Sequence, residues 1–232
     1  MPEGNFFHYD QAAVDHLARK DKKLAAAMQA IGPVRREVMP DLFQALMHAI
    51  TGQQISMAAQ RTVWGRLCGL LGEVTPQALL AQPQTALQAL GLSARKVDYM
   101  RGIARQVVDG ELDLPGMDAL EDAEVCRRLA ALRGIGVWTA EMLLLFSLQR
   151  PDILSYDDLA IRRGLRMLYR HKEMPRERFE RYRRRFSPYG SLASLYLWAI
   201  AGGALPELDD PAERKKGRSR PAASLKSTVT KD

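Results

Sequence analysis

The chain has 232 residues, which is enough for one large domain or two small ones with a sizeable core. Apolar residues make up 47% and charged residues 26%, so a wholly disordered or fibrous chain is excluded. The two cysteines, Cys68 and Cys126, exclude a disulfide framework and any four-cysteine zinc or iron–sulfur site made by this chain alone. No apolar stretch reaches the length of about 18 residues that a membrane span needs, and no export leader is recognisable, so we expect a soluble, unexported protein without a cofactor.

Charge is unevenly distributed along the chain, which has 34 basic and 27 acidic side chains. Residues 214–232 carry seven Lys or Arg and one Asp, whereas residues 109–124 carry seven acids and no base. Residues 166–185 hold nine bases and three acids. Separate acidic and basic faces favour an anionic partner, with nucleic acid as the first candidate, although solvated helix faces and a loose tail would give the same pattern.

The hydrophobic periodicity is helical along the chain. Asp10 and Asp21 precede helical patterns, and apolar side chains recur at helical spacing up to Gly32. Further helices are predicted at 41–50, 56–71, 75–81, 84–90, 95–109, 121–132, 137–149, 158–169, 175–186 and 190–202. No β-alternation, repeat or nucleotide-binding glycine fingerprint is found, so we expect an all-α globule over residues 1–206. Residues 207–232 are rich in Ser, Pro, Lys and Arg, which predicts a basic disordered tail.

Two of these helices are joined by a very short link. An apolar stripe ends near Leu132, a nearly all-apolar helix begins at Val137, and Gly134-Ile135-Gly136 stands between them. The link allows only a tight hairpin, within residues 121–149, where glycines permit close approach to another molecule and the second helix offers its N-terminus to a phosphate. A plain αα-hairpin is the simpler alternative. The longer string Leu-x-Gly-Ile-Gly-x-x-Thr-Ala, which includes Thr139, disfavours it.

This string resembles the hairpin of the helix-hairpin-helix superfamily of DNA glycosylases. Further on, Ile153-Leu-Ser-Tyr-Asp-Asp-Leu-Ala-Ile-Arg-Arg-Gly is similar to the segment in which an Asp at the start of a helix is the catalytic carboxylate. Upstream, Ala49-Ile-Thr-Gly-Gln-Gln-Ile-Ser56 and Leu90-Gly-Leu-Ser-Ala-Arg-Lys-Val97 resemble the alkylbase glycosylases of the AlkA type. The motifs stand in the family's order within residues 40–205. The resemblance implies two helical lobes, with the active cleft between them and the hairpin at its rim.

Absent features indicate the branch of the superfamily. Relatives that also cleave the strand carry a Lys two residues after the hairpin, and here Trp138, which cannot form a Schiff base, stands at that position. The chain also lacks the four-cysteine loop of other branches and the N-terminal β-sheet of the longest AlkA-type enzymes. The resemblance therefore implies a compact, monofunctional glycosylase. It would excise alkylated purines of the 3-methyladenine type from duplex DNA by base flipping, leaving an abasic site in base excision repair.

The resemblance assigns the catalytic role to Asp158, because a carboxylate near C1′ stabilises the positive charge that develops as the base departs. On the residues alone, helix capping would be the preferred role for this aspartate and its neighbour; with the resemblance, Asp157 is assigned to capping or ordering. Trp138 and Trp198 match family positions in the base pocket, where aromatic faces suit a cationic base, although a single Trp is more often a core residue. Met142 stands where an AlkA-type enzyme can carry a pocket Tyr, which leaves the lesion range open.

The other DNA contacts rest on less specific signals. Gln54 matches the region that fills the gap left by the flipped nucleotide. Ser56, Arg95 and Lys96 would hold phosphates, but each would serve equally as a cap or a surface charge. The predicted DNA contacts in the hairpin are Gly134, Ile135, Gly136 and Thr139. The resemblance also allows a monovalent cation, shared with a DNA phosphate, at the backbone carbonyls of Ala130, Leu132 and Ile135.

Three rival interpretations remain at this point. A non-catalytic DNA-binding module would use the same hairpin, but Asp158 argues against it. A structural all-α protein with a sticky tail would not account for three ordered motifs. A glycosylase for deaminated or mismatched bases is the rival within the enzyme class. We expect a monomer that binds DNA and no membrane, cytoplasmic in a bacterium or nuclear in a eukaryote.

Overall fold

The computed structural model describes residues 5–213, and these form α-helices without a β-sheet. A short 3₁₀ turn lies at Pro115–Ala119, and an isolated antiparallel bridge joins Phe6 to Glu37. The predicted all-α fold is confirmed. The helices are α1 (Gln11–Lys20), α2 (Lys22–Ile31), α3 (Leu42–Gly52), α4 (Met57–Leu71), α5 (Pro76–Ala81), α6 (Gln84–Ala89), α7 (Ala94–Val108), α8 (Asp122–Ala130), α9 (Val137–Phe146), α10 (Leu159–Tyr169), α11 (Arg176–Phe186) and α12 (Gly190–Ala201).

Most helix boundaries lie within two residues of the predicted ones, because short polar side chains cap the N-termini where the sequence places them. Helix α9 is the exception, since it ends at Phe146 and not at 149. The hydroxyl of Ser147 donates to the carbonyl of Pro40. Gln149 has a φ of 50°, which is incompatible with a right-handed helix. The side chains that cap helices in this way belong to Asp10, Asp21, Asp41, Ser56, Thr75, Ser93 and Asp158.

The buried apolar residues form two cores. The central core contains side chains of α3 to α9, whereas the terminal core combines α1 and α2 with α10, α11 and α12. The chain passes from one core to the other between Ile153 and Leu154, which point into different cores. Trp198 packs against both. The segment that precedes α10 and the ring of Trp198 therefore meet at the junction of the two lobes.

Helices α10 and α12 approach closely at Gly164. A Cβ atom at this position would lie 2.3 Å from the carbonyl oxygen of Leu197, so any side chain would push the helices apart. This contact holds the N-terminus of α10, with Asp158, beside Trp198 of α12.

Residues 207–213 correct the predicted start of the disordered tail. Asp210 is 4% exposed, and its carboxylate accepts hydrogen bonds from Arg166 Nε at 3.0 Å and Nη2 at 2.5 Å. Glu213 forms an ion pair with Arg163 at 3.3 Å. The composition was misleading here because the acids of this segment pair with arginines of α10. The rest of the predicted tail, 214–232, lies outside the described residues, and none of the described helices has the length and apolar character to cross a membrane.

Candidate active site

The predicted catalytic residue, Asp158, lies at the junction of the lobes and is 7% exposed. Its Oδ1 accepts hydrogen bonds from the backbone N–H of Ile161 at 2.8 Å and from Nε1 of Trp198 at 3.1 Å. Its Oδ2 accepts from Nε1 of Trp138 at 3.0 Å. An ionised carboxylate is purely an acceptor, and this site offers it three donors in fixed directions.

Asp158 is also the N-cap of α10, which corrects the assignment of capping to Asp157. The side chain of Asp157 is exposed, and α10 begins with the bond from Ile161 to Asp158. One residue thus combines the two roles that the sequence divided between neighbours. The helix N-terminus adds the positive end of its dipole to the surroundings of the carboxylate.

The two tryptophans hold Asp158 from different helices. Trp138, in the first turn of α9, is 46% exposed, whereas Trp198 of α12 is half-buried. The Trp198 ring stacks on Phe146, with centroids 5.4 Å apart and an interplanar angle of 25°. Sequence reasoning missed Phe146, which looked like one more residue of a buried apolar helix. The tryptophans therefore orient the carboxylate as well as presenting aromatic faces.

A cleft of about 710 Å³, here called the hairpin cleft, collects most of the predicted DNA contacts. Asp158 and Trp198 lie outside its lining. The predicted residues that line it are Gln54, Arg95, Lys96, Gly134, Trp138, Thr139 and Met142. Since no acidic side chain lines it, the hairpin cleft suits an anionic backbone.

A second cleft of about 680 Å³, here called the arginine cleft, lies on the other side of Gln60, which lines both. Sequence reasoning missed it, because its residues come from segments without a motif. His48 of this cleft packs edge-on against Trp64, with ring centroids 5.0 Å apart, and burial lowers the pKa of its imidazole. The other principal residues of this cleft are Arg35, Arg36, Arg61, Met57 and Phe146.

In the hairpin, Gly134 and Gly136 have different roles. Gly134 has a φ of 90°, and a Cβ there would lie 2.3 Å from the Tyr99 ring, so this position requires glycine. Gly136 is exposed and has open space around its missing Cβ. Ile135 has a side chain that is 5% exposed and an N–H that donates to Leu132 O at 3.0 Å, so both are used within the protein, and its DNA contact stays a prediction.

The N-terminus of α9 has no side-chain cap among the described residues, which leaves its first N–H groups free for a phosphate. The predicted cation carbonyls lie in the same turn. Leu132 O accepts one hydrogen bond, from Ile135, and a carbonyl has two lone pairs, so this oxygen keeps a lone pair for another partner. The cation itself stays a prediction.

The turn after α3, here called the wedge turn (residues 53–56), is fixed from two sides. Lys96 Nζ donates to the carbonyls of Thr51 at 2.9 Å and Gln53 at 2.8 Å, and burial lowers the pKa of this amine. Gln53 Nε2 donates to Gly134 O at 2.7 Å. Gln54, at the exposed tip, has a φ of 57°. Lys96 is thus primarily a support for the turn and not the free phosphate ligand that the sequence suggested.

Ser56 and Arg95, which were both predicted to hold phosphates, have different positions in the structure. Ser56 caps α4, with its Oγ accepting from Ala59 N at 3.2 Å, as the less specific interpretation predicted. Arg95 is exposed at the hairpin cleft.

The protein surface around the site is unusually apolar: five of the seven exposed large hydrophobic side chains in the described part of the chain flank the site. They are Ile55, Met57, Val137, Trp138 and Leu159.

The fold and this arrangement define a helix-hairpin-helix glycosylase architecture, in which an aspartate at a helix N-terminus is hydrogen-bonded to a tryptophan in the first turn after the hairpin. Residues 47–188 match the family model described as HhH-GPD superfamily base excision DNA repair protein. The chain is 29% identical over 209 residues to DNA-3-methyladenine glycosylase 1 of Schizosaccharomyces pombe, covering 87% of this chain and 91% of the relative. The chain belongs to the HhH-GPD superfamily of base excision DNA repair proteins.

Two solved structures agree with this membership. A DNA-3-methyladenine glycosidase from Bacillus halodurans has 34% identity and a TM-score of 0.79, over 88% of this chain and 95% of that one. The 3-methyladenine DNA glycosylase of Schizosaccharomyces pombe, in complex with abasic DNA, has 30% identity and a TM-score of 0.71, over 81% of this chain and 95% of that one. The predicted family and fold are therefore confirmed.

Proposed function

We propose that this protein is a monofunctional DNA glycosylase that hydrolytically excises alkylated purines, of the 3-methyladenine type, from duplex DNA. It acts as a monomer and leaves an abasic site for base excision repair. The observation that carries the proposal is the Asp158 carboxylate, held between the indole N–H groups of Trp138 and Trp198 at 3.0 and 3.1 Å. The relatives named as 3-methyladenine glycosylases support the choice of substrate class.

The chemistry requires little beyond an oriented carboxylate. As the base leaves, positive charge develops on the deoxyribose, and the side chain of Asp158 stabilises it and orients a water for attack at C1′. Alkylation at a purine ring nitrogen makes the base cationic and weakens its bond to the sugar. An aromatic wall such as Trp198 stacked on Phe146 attracts such a cation, and no strong acid is required.

The DNA is held by the backbone of the hairpin and by the basic lining of the hairpin cleft. Free N–H groups at the start of α9 bind a phosphate of the damaged strand, and Arg95 supplies charge. Gln54, at the tip of the wedge turn, fills the space left by the flipped nucleotide. Val137 and Leu159 give apolar contacts beside the flipped sugar.

Strand cleavage is not expected, because Trp138 offers no amine for a Schiff base. The amine nearest to this role is Lys96, which lines the same cleft but donates to two carbonyls. Borohydride treatment during turnover should therefore trap no covalent enzyme–DNA adduct. An adduct would overturn the monofunctional assignment. The loss of that adduct in Lys96→Met would identify Lys96 as the amine.

The decisive experiment is base release from methylated duplex DNA by the wild type, Asp158→Asn and Asp157→Asn, with the released bases separated by chromatography. Asn caps helices as well as Asp does, so both variants should fold. We expect Asp158→Asn to lower the single-turnover rate by about 100-fold or more, with binding of abasic duplex retained. Asp157→Asn, with its exposed side chain, is the matched control and should stay close to wild type. Release of hypoxanthine but no methylated base would favour the deaminated-base alternative.

A further inference from the structure

One face of α12 carries two buried serines in line with Trp198. Ser191, Ser194 and Trp198 are spaced three and four residues apart, which places them on the same side of a helix. Both serines are 0% exposed in a helix that is otherwise mostly apolar. Buried polar side chains in such a setting are retained only when they are hydrogen-bonded.

The serine hydroxyls bind the segment that leads to Asp158. Ser191 Oγ accepts from the N–H of Ile153 at 2.9 Å and donates to the carbonyl of Arg150 at 2.5 Å. Ser194 Oγ donates to the carbonyl of Ile153 at 2.8 Å. Serines inside helices commonly bond the carbonyl one turn earlier in their own helix. These two instead bind both backbone polar groups of a residue on another segment.

The segment between Ile153 and Asp158 has no regular secondary structure, so its own backbone does not hold it in place. Its first residue is bonded to Ser191 and Ser194, and its last is bonded to Trp198, all on one face of α12. Helix α12 therefore holds both ends of the segment, while Trp138 of α9 bonds the other carboxylate oxygen of Asp158.

We propose that Ser191 and Ser194 are positioning residues that hold Asp158 in its reactive place, and this inference rests on the proposed function. Neither serine reaches DNA, because both are fully buried. They act through the backbone of Ile153. Since an error of about 1 Å in the placement of a reacting group costs up to about 100-fold in rate, the loss of these bonds should slow the chemical step and spare binding.

The test compares Ser191→Ala/Ser194→Ala with the wild type in single-turnover release of 3-methyladenine at saturating enzyme, and in the Kd for abasic duplex. The matched control is Tyr196→Phe. Tyr196 lies on the same helix, is 3% exposed, and donates from its hydroxyl to the carbonyl of Gly32 at 3.1 Å, away from the catalytic segment. Thermal unfolding of each variant sets an assay temperature at which all are folded.

The expected result is a rate lower by about tenfold or more for the double variant, a Kd within about twofold of wild type, and a wild-type rate for Tyr196→Phe. A rate within about twofold of wild type, or equal losses in rate and affinity, would overturn the positioning role. If the double variant does not fold, Ser194→Ala alone is measured against the same criteria. Failure of the wild type to release any base would instead refute the proposed function.

Discussion

The indole Nε1 of Trp198 lies 3.1 Å from Oδ1 of Asp158, across a separation of 40 residues in the chain. Trp138 Nε1 lies 3.0 Å from the other carboxylate oxygen. The sequence predicted both rings as walls of a base pocket, but the structure adds that their N–H groups donate to the carboxylate of Asp158. The contributions of the N–H and of the aromatic face are therefore separable by substitution.

Trp198→Phe should separate them, because phenylalanine keeps an aromatic face and loses the N–H donor. A hydrogen bond to a charged group contributes about 1.5–3 kcal/mol, and about 1.4 kcal/mol corresponds to a factor of ten in rate. We therefore expect single-turnover excision to fall by about 10- to 100-fold for every lesion alike. Excision assays on 3-methyladenine and on neutral hypoxanthine check this expectation. A wild-type rate would mean that Trp138 and Ile161 suffice to orient the carboxylate.

Trp198→Ala should add a loss that depends on the charge of the lesion. Removing the face costs a cationic base about 0.5–2 kcal/mol more than a neutral one. Because replacing a buried Trp with Ala can also cost about 3–5 kcal/mol of stability, thermal unfolding must first show that the variant is folded at the assay temperature. Equal additional losses on 3-methyladenine and hypoxanthine would mean that the ring only packs or stacks, and a larger loss on hypoxanthine would favour the deaminated-base alternative.

Local sequence signals predicted much of the fold, and the family motifs supplied the candidate site residues. Caps such as Asp41 and Ser93 set helix starts through bonds that span three residues, so their effect is visible in a short stretch of sequence. The hairpin and Asp158 were found through the family motif. Phe146 and the arginine cleft were missed because they depend on contacts between distant segments, and no local pattern encodes such contacts.

Two of the predicted DNA contacts have polar groups that are engaged within the protein. Lys96 and Ile135 were assigned to DNA by their place in a motif, yet their polar groups bond the protein's own backbone. The adjacent Arg95 and Lys96 look alike in the sequence, which does not indicate that Lys96 is the one that donates to the carbonyls at the end of α3. The buried serines of α12 likewise looked like small residues of an apolar helix until their partners in the 150–153 segment were placed.

The hairpin glycines should respond differently to substitution. Gly136→Val has open space for the side chain, so we expect a folded protein whose affinity for duplex DNA falls regardless of sequence or lesion, because the phosphate's approach is blocked. Gly134→Ala should destabilise the fold by about 1–3 kcal/mol, since a residue with positive φ would also clash with Tyr99. Thermal unfolding and DNA binding measure the two effects. A Gly136→Val variant that binds like wild type would remove the backbone of this position from the DNA interface.

Arg95 and Lys96 form a matched pair for the salt dependence of binding. Arg95→Ala should lower the slope of log Kd against log salt by about the amount that one phosphate contact contributes. Lys96→Met should leave the slope unchanged, because its amine is bonded to Thr51 and Gln53, and should weaken binding by loosening the wedge turn. Titrations of abasic duplex at several KCl concentrations give both slopes. A lower slope for Lys96→Met would return this residue to the phosphate contacts.

Glu141 of α9 should give a pH dependence of stability with a definite sign. It accepts a hydrogen bond from Ser155, in the segment before Asp158, and burial raises the pKa of its carboxyl above the usual 4.5, with Asp157 adding to the effect. The folded protein therefore retains a proton here that the unfolded chain has lost, so stability from this group is fully present below pH 4.5 and falls as the pH rises through the folded pKa.

Glu141→Gln is uncharged at every pH and still accepts from Ser155, so it should be more stable than wild type at neutral pH and equal to it below pH 4.5. Glu124 is the control of opposite sign: hydrogen bonds from Arg127 and Arg128 lower the pKa of this partly exposed carboxyl to about 2. Its contribution is present above its unfolded pKa and lost in acid, so Glu124→Gln should give no gain at neutral pH. Thermal unfolding from pH 4 to pH 8 measures both variants. A Glu141→Gln variant less stable than wild type at neutral pH would mean that Glu141 is ionised in the fold and stabilised by Arg183 and Arg176.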